Sequence, residues 1–282
     1  LAETWTVLKI LKWTGGYLAE RGIDNGRLDA ELLLADLLQL DRVGLYLNFD
    51  RPLNAAELTD FRERVGRRAR REPLQYILGR AEFWSLPFRV GPAVLVPRPD
   101  TEVLVEEALA RATPAARILD VGTGSGAIAV ALAHELPAAR VMAVDISDEA
   151  LLLAAENARV NGVAERVAFA PGDLHALPAG EFDLVVANPP YIAADDLAGL
   201  MPEVRDFEPQ IALHGGSDGL DAYRALARQA ATLLVPGGWL LVEVGVGQAA
   251  AVQQLLAAAG LGEIFCRADY AGIPRVVGGR HP

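Results

Sequence analysis

Asn188-Pro189-Pro190-Tyr191 directly follow Phe182–Ala187, an apolar run that predicts a buried strand, so the tetrapeptide stands at a strand's C-terminal end. These residues offer what alkylation of a planar, non-basic nitrogen needs. The lone pair of an amide, or of an exocyclic amine on a base, is delocalised and attacks poorly. The Asn188 side-chain oxygen and the Pro189 carbonyl can each accept one N–H, holding the nitrogen and stabilising positive charge as it alkylates. Neither Pro189 nor Pro190 has a backbone N–H to compete there. Tyr191 could stack its ring on a flat substrate group. A Pro-Pro turn alone would mean only a change of chain direction, so the motif gains chemical meaning only beside a cofactor site.

Such a site lies upstream. Ile118–Val121 reads as a short strand, Gly122-Thr123-Gly124-Ser125-Gly126 as a turn, and Ala127–Glu135 as a helix. Glycines there permit positive φ and close approach of a nucleotide-like ligand. Arg140–Ile146 predicts a second strand with Asp145 near its end, 19 residues past Gly126, where a carboxylate can accept from both ribose hydroxyls. The spacing G-x-G-x-G lacks the diphosphate pattern G-x-G-x-x-G, and Asp120 just before the turn would repel a diphosphate. An acid there suits the amino group and sulfonium of S-adenosylmethionine. A third strand, Arg166–Ala170, leads to Gly172-Asp173-Leu174. Asp173 could accept from the adenine amino group, and Leu174 could cover a face of the ring. Any one of these acids could equally be a solvated side chain or a helix cap; three at successive strand ends argue for one crevice.

The elements that must position these groups follow from composition and pattern. The chain has 282 residues, 52% hydrophobic and 22% charged, enough for two cores. No apolar run reaches the ~18 residues of a membrane span. Trp5, Leu8, Leu11 and Trp13 alternate with Lys9 and Lys12 as in an amphipathic helix, unlike a signal peptide. A single cysteine, Cys266, excludes an internal disulfide, and four scattered histidines give no metal-ligand pattern. We expect a soluble, cytoplasmic protein without metal. Residues 1–80 hold 13 basic and 12 acidic side chains, a net +1; the remainder holds 13 and 25, a net −12. That acidity argues against broad nucleic-acid binding by the later part. The run Arg62, Arg64, Arg67, Arg68, Arg70 and Arg71 is expected as a solvated helix face rather than a contact surface.

The first ~75 residues read as helical. Leu28–Leu40 is leucine-dense, and Asn54 with Glu57 makes a capping box for a helix to about Arg71. Gly15-Gly16 is expected to weaken or split the first helix. Glu82–Val96 predicts a hairpin, and Asp100 is placed to cap a helix to about Ala112. From Arg117 strands and helices alternate, as in a parallel sheet covered on both faces. Beyond a looser stretch to about Gly219, we expect a helix over Leu220–Leu234, a turn at Pro236-Gly237-Gly238 and a strand over Trp239–Val244. A helix over Ala249–Ala259 and strands over Gly262–Ala268 and Ile273–Val277 complete the chain.

Taken together these segments closely resemble the peptide-chain release factor glutamine methyltransferases, the HemK/PrmC family, over nearly the whole chain. The resemblance is carried by Arg71–Gly79, Glu82–Trp84, Pro97–Glu102, Asp120–Gly126, Asn188–Tyr191, Glu208-Pro209, Gly215–Gly219 and Arg275–Arg280. Asn-Pro-Pro-Tyr alone is shared with DNA adenine and rRNA guanine methyltransferases. Pro97-Arg98-Pro99-Asp100-Thr101-Glu102 is more discriminating, since the nearest relatives, which modify a ribosomal protein, tend to differ there. The resemblance implies an α/β protein: a seven-stranded Rossmann-like class I methyltransferase domain (98–282), one late strand antiparallel, behind a helical release-factor-binding domain (1–78) and a hairpin linker (79–97). It implies methyl transfer from S-adenosylmethionine, leaving S-adenosylhomocysteine, to the glutamine amide in the Gly-Gly-Gln loop of release factors. Carried onto this chain, Gly122, Thr123, Gly124, Ser125, Gly126, Asp145, Asp173 and Leu174 hold cofactor, Asn188 borders both ligands, and Asn188, Pro189, Pro190 and Tyr191 bind glutamine. Leu174 stands where an aromatic residue is common in the family, and Ser85 where glycine is common. Arg98 and Glu102 are expected at the linker–domain junction, as a salt link as readily as a substrate contact.

The expected chemistry is in-line displacement on a monomer, without membrane or nucleic-acid partner. No general base is required, because the methylated amide is strongly acidic and loses its proton to water. Methylation of a nucleic-acid base would need a basic surface near Asn188. A non-catalytic cofactor-binding protein would not need Asn188, and a dehydrogenase would need the diphosphate spacing.

Overall fold

The computed structural model describes residues 4–177 and 180–282; residues 1–3, the start of the expected helical domain, lie outside that set. The chain divides into two units: one takes the residues up to Gly79 together with Pro202–Phe207, the other Arg80–Met201 with Glu208–Pro282.

In the first unit, helices span Val7–Ala19, Gly26–Leu38, Arg42–Leu47, Ala55–Ala69 and Leu74–Leu78. The capping box forms as expected, Asn54 Oδ1 accepting from the Glu57 amide at 3.0 Å and Glu57 Oε2 from the Asn54 amide at 2.9 Å. Gly15-Gly16 does not split its helix. A Cβ on Gly15 would lie 3.3 Å from Arg27 Cα, and one on Gly26 would lie 2.9 Å from Leu18 Cβ. The glycines let two helices approach closely, and packing of Leu18, Leu33 and Leu34 between them outweighs glycine's poor propensity. The arginine run is not the solvated face expected of it. Arg68 is buried and bonds Asp29 at 2.7 Å and Glu203 at 3.0 Å; Arg71 bonds Glu203 at 2.7 Å, and Arg64 and Arg67 pair with Asp36 and Glu72. Arg62 and Arg70 are exposed.

The second unit opens with a hairpin, β1 (Arg80–Phe83) against β2 (Leu86–Arg89). Its turn residues Trp84 and Ser85 both have φ of 55°, the left-handed region where glycine is at ease. Phe83 and Phe88 are buried in this unit's core, so the hairpin is built into it rather than strung before it. The remaining strands are β3 (Arg117–Val121), β4 (Arg140–Asp145), β5 (Val167–Pro171), β6 (Phe182–Ala187), β7 (Leu234–Glu243), β8 (Gly262–Ala268) and β9 (Pro274–Arg280). They form one sheet in the order β5-β4-β3-β6-β7-β9-β8. β3 to β7 run parallel, and β9 is antiparallel to both its neighbours. Pro236-Gly237-Gly238 lies inside β7 as an irregularity in its pairing with β6.

Side chains alternate across this sheet. Ile118, Leu184, Val186 and Leu241 face the helices Glu102–Arg111 and Ala127–Glu135. Leu119, Val185, Leu240 and Val242 face Asp221–Leu233 and Ala249–Ala258. A helix over Asp148–Val160, capped by Ser147, fills the place between β4 and β5 that the alternation of strands and helices requires. The central strand β3 is flanked by β4 on one side and β6 on the other, so the chain diverges there and opens a crevice beyond the strand ends. No described helix is long and apolar enough to cross a membrane, and no described group of His, Cys, Asp and Glu could hold a metal ion.

Candidate functional site

A cavity of about 290 Å³ occupies that crevice, within the second unit. Its floor is the turn after β3. Gly122, Gly124 and Gly126 have φ of 72°, 53° and 80°. A Cβ on Gly122 or Gly124 would meet open space, whereas one on Gly126 would lie 3.0 Å from Ala154 Cβ. The first two glycines therefore leave room for a ligand, and the third lets two helices meet. Asp145 steadies the turn: its Oδ2 accepts from the Gly124 amide at 2.8 Å and its Oδ1 from the Ser147 amide at 3.0 Å. Each oxygen keeps a lone pair for a further donor.

Thr123, Ser125, Asp173 and Leu174 also line the cavity. Asp173 Oδ1 accepts from the His175 amide at 2.8 Å, and the Leu174 carbonyl accepts from Gln229 at 2.7 Å, so both stand in a braced loop. Asp120 does not reach the cavity. It shares the face of Ile118, fully buried beneath the helix Ala127–Glu135, where its Oδ2 accepts from the Thr123 hydroxyl at 2.6 Å and the Ala129 amide at 3.2 Å. Burial pushes its carboxyl up to about 7, and the acid expected to greet a sulfonium instead pins the turn to its helix.

Asn188, Pro189 and Pro190 line the opposite wall. Asn188 Nδ2 donates to the Thr101 hydroxyl at 3.2 Å, which occupies the nitrogen end of that amide. Tyr191 is not in the lining: its ring lies against Gly245, where an added Cβ would be 2.9 Å from Cδ2, and burial pushes its phenol up to about 12. The stacking platform expected there is a packed brace. A loop clips onto the motif from behind. Ile192 bridges His214, and a Cβ on Gly215 would lie 2.8 Å from the Pro190 carbonyl oxygen. Gly215 thus permits contact with the motif's backbone, as does Gly219, whose added Cβ would crowd the Tyr191 carbonyl.

The segment Pro97–Glu102 resolves into three anchors. Arg98 bonds both oxygens of buried Glu208, at 2.9 and 2.8 Å. Burial pushes the Glu208 carboxyl up, against the pull of Arg98 and the Val96 amide. Asp100 caps no helix; it pairs with Arg275 at 2.8 Å. Glu102 accepts from the Trp84 amide at 2.8 Å.

Two residues were missed in the sequence. Asn157 is fully buried in a helix, donates to the Ser125 carbonyl at 2.8 Å and so fastens the glycine turn. An asparagine on the apolar stripe of a helix was the available signal. Glu243, 2% exposed at the end of β7, lies beside Thr101 and Asn188, and burial pushes its carboxyl up to about 7.

Residues 9–79 match the family described as the PrmC N-terminal domain, and residues 100–213 the one described as ribosomal protein L11 methyltransferase (PrmA). The chain is 56% identical over 280 residues to the release factor glutamine methyltransferase of Geobacter sulfurreducens, covering 99% of this chain and 98% of that protein. It is 48% identical over 264 residues to the protein of the same name from Bradyrhizobium diazoefficiens, covering 92% and 89%. Among solved structures, the catalytic domain of hMettl16 in complex with the MAT2A 3'UTR hairpin 6 aligns with a TM-score of 0.57 at 16% identity, covering 77% of this chain and 81% of that one. A methyltransferase from Pyrococcus furiosus aligns with a TM-score of 0.52 at 17% identity, covering 69% and 88%. At those identities the likeness is one of fold.

Proposed function

The chain belongs to the release factor glutamine methyltransferases, and from that membership we propose how it works: Asn188 and the Pro189 carbonyl hold a release-factor glutamine amide beside S-adenosylmethionine seated on Gly122–Gly126. The enzyme methylates the side-chain nitrogen of that glutamine, in the Gly-Gly-Gln loop. The observation that carries the assignment is that one cavity is lined both by the glycine turn with Asp145 and by Asn188-Pro189-Pro190.

The residues present suit the cofactor. Two glycines leave open space over the turn, Asp145 keeps acceptor capacity for a diol, and Asp173 and Leu174 offer an acceptor and an apolar surface to a purine. When bound, S-adenosylmethionine supplies a methyl group activated by a sulfonium. Asn188 gives its nitrogen to Thr101, which leaves its oxygen to accept an N–H from the glutamine. With the second N–H taken by the Pro189 carbonyl, the nitrogen lone pair is turned toward the incoming methyl, and the acceptors stabilise the charge that develops. The methylated amide then releases its proton to water. Tyr191 acts by bracing the motif.

We assign the helical unit the grip on the release factor, and expect a cytoplasmic monomer that does not bind nucleic acid. The match of residues 100–213 to a ribosomal-protein methyltransferase leaves out all of the helical residues up to Gly79, and the near full-length relatives outweigh it.

Incubation with S-adenosylmethionine and a release factor should add one methyl to the loop glutamine, located by mass spectrometry, and none to ribosomal protein L11. Asn188→Ala should slow transfer ~30- to 160-fold, about 2–3 kcal/mol of barrier, with cofactor affinity by calorimetry nearly unchanged. Full turnover by that variant would remove the clamp.

A further inference from the structure

Glu243 is buried and does not line the cavity. Ala187 pairs with Val242 in the parallel ladder of β6 and β7, so Asn188, just past β6, and Glu243, the last residue of β7, stand side by side on the same face. Thr101 stands at the start of the helix covering that face and accepts from Asn188 Nδ2 at 3.2 Å. Its own proton is then free for another acceptor, and the Thr101 and Asn188 side chains lie close enough to Glu243 to favour its ionised form. Glu243 Oε2 is buried without a hydrogen-bond partner, so this carboxyl has accepting capacity to spare.

We propose that Glu243 is a positioning residue for methyl transfer: with Thr101 it captures the nitrogen end of Asn188 and so fixes the Asn188 oxygen toward the substrate amide. The assignment rests on the reading that Asn188 grips the glutamine. An amide side chain can present oxygen or nitrogen by a half-turn, and only one orientation accepts an N–H. A carboxylate behind the amide excludes the wrong one, because two acceptors would then face each other. Its negative charge also polarises Asn188 through the Thr101 bond, strengthening the oxygen as an acceptor when the substrate nitrogen becomes positive.

The surroundings keep this group titratable near neutrality. Burial raises its pKa to about 7, Thr101, Arg275 and Asn188 oppose that rise, and Asp100 adds to it. Arg275 is itself paired with Asp100 and Asp269, and the phenols of Tyr191 and Tyr223 are the other groups facing the site. The ionised form is the one that orients Asn188, so kcat should rise with pH through about 7.

The test is the pH dependence of kcat, from pH 5.5 to 9, with release factor and S-adenosylmethionine. In Glu243→Gln, kcat should fall at least ~10-fold, KM for cofactor should stay within about twofold, and the rising limb should vanish. Glu243→Asp should keep the limb. Thr101→Val, which removes a bond that lowers the Glu243 pKa, should move the limb to higher pH, and it serves if Glu243→Gln does not fold. Asn188→Ala combined with Glu243→Gln should be no slower than Asn188→Ala alone. Unchanged kcat and limb in Glu243→Gln, or an unmoved limb in Thr101→Val, would overturn the role of Glu243. If Asn188→Ala is slow while Glu243→Gln is not, only the positioning role falls; if Asn188→Ala is fully active, the clamp falls with it.

Discussion

Glu31 in the helical unit and Asp120 and Glu243 in the sheet unit are buried acids treated in opposite ways. In the helical unit Asp29 bonds Arg68, and Glu31 accepts from Arg27, Arg42 and Tyr46. Burial works against the ionised Glu31, yet the Tyr46 hydroxyl and the two guanidiniums together hold it below the usual carboxylate range. In the sheet unit Asp120 is met only by a hydroxyl and a backbone amide, and Glu243 chiefly by a hydroxyl; both are pushed up to about 7. Glu31, met by two guanidiniums and a hydroxyl, stays charged and ties two helices together. Acids denied a direct countercharge remain poised near neutrality, and here they cluster around the cavity.

The contrast breaks most visibly at Arg68. Arg68→Ala strands Asp29 in the core and should destabilise the helical unit by about 3 kcal/mol in urea unfolding. Combining Arg68→Met with Asp29→Leu should recover much of that loss, since a pair replaced by apolar side chains leaves no orphan charge.

A smaller effect sharpens the comparison through pH. Asp120 has a folded-state pKa near 7, raised above the ~3.9 of an unfolded chain. Its contribution to stability is therefore present below about pH 4 and is lost as pH rises through 7. Asp120→Asn should flatten the decline in stability between pH 5 and 7.5. Glu31 has the opposite sign: its depressed pKa gives stability that is present above the unfolded pKa and lost in acid. Tyr46→Phe, which removes one donor to Glu31 at 2.6 Å from a half-exposed tyrosine, should cost only about 1 kcal/mol and should shift the acid transition upward.

What could be read in the sequence was local. The strand Phe182–Ala187 and the helix Ala127–Glu135 have the bounds that hydrophobic pattern and glycine punctuation indicate, and the Asn54–Glu57 box forms. Asp145, Asp173 and Asn188 line one cavity because strand ends of a parallel sheet share an edge. What escaped depended on neighbours far along the chain. Glu243 is one of 37 acidic residues, and nothing near it signals that β7 lies beside β6. Asp120 was assigned to the crevice by its place near the glycines, but alternation along β3 points it beneath the turn. Gly15 and the arginine run misled for the same reason, since each is defined by what packs on it.

The bridge between Ile192 and His214, backed by Gly215 on the Pro190 carbonyl, closes a long excursion at its base. Lengthening a closed loop raises its entropy cost only logarithmically, roughly 0.6 kcal/mol per doubling. The stretch from Asp195 to Met201 is therefore where this scaffold can absorb inserted residues cheaply. Changes in length there would leave the turn Gly122–Gly126 and the Asn188-Pro189-Pro190 wall of the cavity undisturbed.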